Sequence, residues 1–135
     1  MTTNDFIDKC KNSGKFDDYQ MHQIREGFKN GLTFKQVKIY AKPEIQHDQM
    51  EQILWGFIDG LTMEQIKLYA DSKFDFEQMW EIRLGFESGL TMEEIKLYAK
   101  PKFNIYQMQE IREFIINNKN LSINTLKFLI QLDIL

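Results

Sequence analysis

Apolar residues recur along this chain with a helical period, and the periodic segment itself recurs. Met79, Ile82 and Phe86 stand three and four positions apart, the spacing that lines one face of a helix. Met21, Met50, Met79 and Met108 are each 29 residues apart. Gln20, Gln49, Gln78 and Gln107 precede them, and Ile24, Ile53, Ile82 and Ile111 come three positions later. A second periodic run comes after each of the first three: GLTFKQVKIYA at 31–41, GLTMEQIKLYA at 60–70 and GLTMEEIKLYA at 89–99. The period predicts four units, 16–44, 45–73, 74–102 and 103–135. Residues 1–15 read as an N-terminal half-repeat, in which Thr3, Ile7 and Cys10 mimic the spacing of Thr33, Val37 and Tyr40.

Each unit predicts two helices. The first, helix A, opens on Asp17, Asp75 or Asn104, each with a glutamine three positions on, as in a capping box. Unit two has Gln46 there, a poor cap, so its start is the least defined. Gly31, Gly60 and Gly89 end helix A in the left-handed conformation glycine adopts without steric cost, and Asn118 takes that role in the last unit. The second helix, B, restarts on Thr33, Thr62, Thr91 and Ser122, and Pro43 and Pro101 close it in two units. Neither helix is long enough to shelter its apolar face alone, so units must stack. Gly27, Gly56 and Gly85 fit a close approach by the next unit; Phe114 replaces them in the last, and the divergent tail 126–135 caps the end. The expectation is a single all-α domain, an α-solenoid of four helix-turn-helix repeats and about nine short helices.

YAKPE at 40–44, FDFEQMWEIRLGFESGL at 74–90 and YAKPKF at 98–103 resemble tandem repeats of the form YAKPEFD…QMEEIRLGLE.GL. Such repeats occur in proteins of low-GC Gram-positive bacteria, their phages and conjugative elements. The likeness runs from Phe16 to about Asn117. It implies a helical repeat module encoded on a mobile element, with no shared catalytic residues. It also suggests an inhibitor of a host defence system, such as an anti-CRISPR protein.

Composition narrows the function. A net charge of −3 argues against a domain built mainly to neutralise phosphates. The polar N-terminus predicts no signal peptide, no apolar run approaches a membrane span, and a lone Cys10 points to an intracellular location, which the resemblance implies is the cytoplasm of a bacterial host. His22 and His47 occupy different repeat positions with no ligand spacing around them, so neither metal nor cofactor is expected. There is no phosphate loop or nucleophile elbow, and no base is placed near Cys10. The chain does not read as an enzyme.

Two sets of positions remain. Lys38, Lys67, Lys96 and Lys127 form a basic column; it reads as a solvated row pairing with acids such as Glu64 and Glu93, with an anion-binding strip as the alternative. Arg25, Arg83 and Arg112 form a second column, broken by Leu54. Tyr40, Tyr69 and Tyr98, and Ala41, Ala70 and Ala99, read as core between units. Positions one, five and eight after each helix A methionine lie opposite the buried stripe. There His22, Glu26 and Lys29 give way to Trp55 and Ile58 in unit two, and to Trp80 and Leu84 in unit three. These four residues are the candidate protein-binding surface, for a hetero-partner or a second copy in a homodimer. The alternative is a nucleic-acid binder using the lysine and arginine columns. No small-molecule substrate is expected.

Overall fold

The computed structural model describes residues 1–133, and among them it is helical with no strand. The helices are α1 (Thr3–Asn12), α2 (Asp18–Lys29), α3 (Phe34–Tyr40), α4 (His47–Ile58), α5 (Met63–Tyr69), α6 (Phe76–Glu87), α7 (Met92–Lys96), α8 (Ile105–Asn117) and α9 (Ile123–Gln131). The chain divides into two compact units, Met1–Ser72 and Lys73–Leu135. That division falls one residue before the boundary between the second and third sequence repeats. In the first unit α2 packs on α1, α3 and α4, and α4 on α5; in the second, α6 packs on α7 and α8.

The capping pattern explains where each helix begins. Asp17, Asp75 and Asn104 accept from the backbone N–H of the glutamine three residues on, and that glutamine's oxygen accepts from their own N–H. Thr33, Thr62 and Thr91 form the same reciprocal box with Gln36, Gln65 and Glu94. The weak cap of the second unit is built differently. Gln46 N–H donates to Gln49 Oε1, while Asp48 accepts from the Gln49 N–H. At the N-terminus the cap is Thr2, not Thr3, because Asp5 three positions on completes the box. Ile7 is half-buried and Cys10 buried all the same.

Helix A ends as glycine chemistry dictates. Gly31, Gly60 and Gly89 sit at φ +86°, +92° and +88°. In each case the next residue, a leucine, bonds through its N–H back to the carbonyl of Gly27, Gly56 or Gly85, the Schellman arrangement. Asn118 does not behave this way. Its φ is −133°, its backbone N–H bonds to Ile115 O, and its side-chain amide donates to Phe114 O at 2.8 Å, as that of Asn30 does to Glu26 O at the end of α2.

The helix A stripe is buried as its period requires: Met50, Ile53, Met79, Ile82 and Met108 are fully enclosed. The glycine within helix A has a reason other than contact with the next unit. A Cβ on Gly27 would overlap the hydroxyl of Tyr40, which belongs to helix B of the same hairpin; Gly56 and Tyr69, and Gly85 and Tyr98, repeat the arrangement. The hydroxyls of Tyr40 and Tyr69 donate to the carbonyls of Gln23 and Gln52, one helical turn before the glycine, at 2.8 Å. Tyr98 takes the same niche with no hydrogen-bond partner for its hydroxyl among the described residues. Its turn is also tighter, with Leu97 and Tyr98 N–H bonding three residues back. Seven residues after its N-cap the last unit has Leu129 in place of tyrosine, and Phe114 in place of glycine. Hydroxyl and gap disappear together.

The glutamine after each helix A cap does a second job. Gln20, 6% exposed, turns its amide nitrogen onto the carbonyls of Pro43 (3.1 Å) and Ile45 (2.7 Å), in the segment leading to the next hairpin. Gln78 holds Pro101 and Phe103 at 3.1 and 2.7 Å, and Gln49 reaches Ser72 O at 3.3 Å. Against the first hairpin, α1 is held by three rings. Phe6, Phe28 and Phe34 meet edge-on with centroids 5.2–5.9 Å apart. Of the expected C-terminal cap, α9 buries Leu126 but leaves Phe128 and Leu132 at least half exposed; residues 134 and 135 lie outside the described residues.

Both contacts have measurable consequences. In an open helix position Gly27→Ala would stabilise by about 1 kcal/mol; here it should cost about 1–3 kcal/mol through overpacking. Tyr40→Phe alone should cost about 1 kcal/mol, and the double variant less than the sum, measured by denaturant unfolding. Gln78→Glu keeps the cap oxygen but loses the donor and places a buried carboxylate against two carbonyls, at about 2–4 kcal/mol. Gln107→Glu, at the exposed equivalent, should change stability by less than about 0.5 kcal/mol.

Candidate functional site

Residues on the outer side of helix A point away from the Met–Ile stripe, and the structure leaves the tryptophans there in solvent. On α4, Trp55 is 45% exposed and Ile58, one turn on, 36%. On α6, Trp80 is 43% exposed and Leu84 is half-buried. Phe76, four residues before Trp80 and 42% exposed, extends that strip along α6. A count that begins at the methionine passes over it; the same i, i+4 spacing extended backwards finds it. Tyr19 and His47 stack with ring centroids 5.1 Å apart at the start of α4, and Tyr106 projects from α8 at 74% exposure.

The basic columns behave differently from each other. Lys38, Lys67, Lys96 and Lys127 are all exposed. No ion pair joins Lys67 to Glu64 or Lys96 to Glu93 among the described residues; Lys38 lies over the Phe34 ring at 5.6 Å. The arginines are mostly engaged. Arg112 Nε meets Glu81 Oε2 at 3.0 Å, with side chains 14% and 3% exposed, tying α8 to α6. Arg83 Nη1 lies 3.4 Å from Glu87 Oε1. Leu54 and Arg83 stand 31 residues after Gln23 and Gln52, the offset that separates Arg112 from Glu81, so in this column only Arg112 has an acid at that offset. Spacing alone presents these arginines as a surface column and gives no sign of Glu81. Only contact between α6 and α8 makes the pair visible.

Other titratable groups have structural roles. Burial pushes the Cys10 thiol up against a smaller opposing pull from Lys9, which disfavours the nucleophilic thiolate. Burial likewise pushes the Tyr40 and Tyr98 phenols further above their ordinary value, so both stay protonated. No three histidine, cysteine or acidic side chains among the described residues are grouped to hold a metal ion. No helix among them is long and apolar enough to cross a membrane. Glu94 shows a clear downward shift. Burial opposes its ionisation, but hydrogen bonds from Thr91 and from Lys119, whose Nζ is 3.3 Å away, outweigh that and hold it below the usual glutamate range.

A carboxyl depressed in the folded state stabilises fully above its unfolded value, about 4.3, and loses that contribution as pH falls toward the lower folded value. Glu94→Gln retains the Thr91 cap, as Gln36 and Gln65 do in theirs. Its Tm should therefore fall less than that of the wild type between about pH 5 and 3, with the two within about 1 kcal/mol at pH 7. Thermal unfolding across that range checks it.

No family model, curated protein or solved structure matches the chain.

Proposed function

We propose that the chain is a non-catalytic α-helical repeat protein, its four hairpins forming an α-solenoid, which binds another protein through apolar outer faces of helix A. The observation that carries this reading is the placement of both tryptophans. Each is more than two-fifths exposed on the side of its helix that the first unit fills with His22, Glu26 and Lys29. Leaving two-fifths of an indole in water forgoes burial worth about 1 kcal/mol, and tryptophan is the residue most enriched where interfaces concentrate their energy. The resemblance to repeats of phages and conjugative elements favours a host-defence protein as the target, this chain then being its inhibitor, such as an anti-CRISPR protein.

Light scattering coupled to size exclusion, together with acrylamide quenching of the indoles, tests the proposal. The monomer should show both tryptophans quenched freely, and Trp55→Ala/Trp80→Ala should keep its fold while losing association with protein, whether a hetero-partner or a second copy. Indoles shielded in the monomer would sink it. So would association that survives the double variant but collapses between about 50 and 200 mM salt, the behaviour of a nucleic-acid binder using the lysine column.

A further inference from the structure

Charge is divided between the two kinds of helix. Helix A of repeats two to four, α4, α6 and α8, holds no lysine, whereas α3, α5, α7 and α9 carry Lys38, Lys67, Lys96 and Lys127. The arginines of α6 and α8 are drawn into the fold. Arg83 lies against Glu87 and Arg112 against Glu81, with side chains 13% and 14% exposed. The outward acids are not matched in this way. On α6 Glu77 is exposed beside Phe76 and three residues before Trp80. On α8 the exposed Glu113 accepts from the Gln109 amide at 3.3 Å rather than from a cation. On α4 Trp55 stands four residues from both Glu51 and Asp59, all three exposed. Each tryptophan therefore sits in an acidic surround.

In the second compact unit the apolar strip and these acids share one surface. Phe76, Trp80 and Leu84 follow at four-residue steps, about 6 Å of rise each. Beside the start of the strip, the N-terminal ends of α6 and α8 border an open hollow of about 410 Å³ lined by Asp75, Glu77, Ile105 and Tyr106 among others. Tyr106 is 74% exposed there. Lys102 also lines the hollow, and its Nζ lies over the Phe103 ring, 5.1 Å from the centroid. Pairing this face with the same face of a second copy would set carboxylates against carboxylates, which like charge opposes.

We infer that the outer face of α6 and α8 binds a cationic amphipathic helix of a partner protein. This rests on the reading of the Trp80 face as protein-binding, and names what that face recognises. Apolar residues of the incoming helix, three and four positions apart, lie along Phe76, Trp80 and Leu84, and one enters the hollow beside Ile105 and Tyr106. Its lysines or arginines flank that stripe, meeting Glu77 and Glu113 and lying over the Trp80 ring. An acidic helix would gain the apolar contact while bringing its carboxylates against these.

The probe is a fluorescent peptide of about 18 residues, five helical turns, with leucines on one face and lysines on the other. It is titrated into the full chain at about 100 mM salt and followed by anisotropy. Binding in the micromolar range is expected. A leucine–glutamate peptide of the same pattern should bind at least about a hundredfold more weakly, and a scrambled leucine–lysine isomer, with the charge but no apolar face, at least about tenfold. Trp80→Ala should weaken the complex about tenfold, and Glu77→Lys/Glu113→Lys about as much, each with an unchanged circular dichroism spectrum. Lys96→Ala, on α7, should leave it unaltered.

The inference is overturned by no binding at about 1 mM peptide, by the leucine–glutamate peptide or the scrambled isomer binding as tightly, or by a complex indifferent to Trp80→Ala. Light scattering that shows the chain pairing with itself through Trp80 would make a second copy the occupant and overturn it too. Freely quenched indoles with binding blind to charge would remove this inference alone, whereas indoles shielded in the monomer would remove the protein-binding reading as well.

Discussion

A single neutral amide, used at both ends, ties a hairpin to the segment that leads into its successor. The glutamine at 20 or 78 needs its oxygen to cap its own helix and its nitrogen to hold carbonyls 23 and 25 residues further along. Glutamate could cap but not donate, and lysine could donate but not cap. Buried at 6% exposure, neither end of the amide can be left to water without cost. One side chain thereby couples helix initiation to the path of the connecting segment.

The tyrosine–glycine contact plays the corresponding part inside the hairpin. Helix B approaches helix A so closely that the phenol oxygen occupies the volume a Cβ would need. The carbonyl it binds already accepts the glycine's own helical N–H, so the tyrosine uses the second lone pair and breaks nothing. The geometry is self-consistent only with both residues present, and the last hairpin, with Leu129 and Phe114, has neither.

With methionine, isoleucine, glutamine, glycine and tyrosine committed to the framework, binding has to draw on what differs between units. Arg112 is engaged by Glu81, and Glu94 by Lys119. What remains is apolar surface on α4 and α6 and a row of exposed lysines. These groups are available because no structural role claims them.

Helix positions, caps and the buried stripe were legible in the residues themselves, because capping boxes, left-handed glycines and a 3.6-residue period are local properties of a few neighbouring side chains. The count of about 100° per residue placed Trp55, Ile58 and Trp80 outward, as found, while Leu84 came out half-buried because a rotation about one helix does not report what packs beside it. Gly27 and Tyr40, Gln20 and Ile45, Glu81 and Arg112 are 13 to 31 residues apart. Their pairing is created by the crossing of helices, so the columns were visible in the sequence while their partners were not. Asn118 shows the same limit at short range: its residue type allowed a left-handed turn, and its reach to the Phe114 carbonyl decided otherwise.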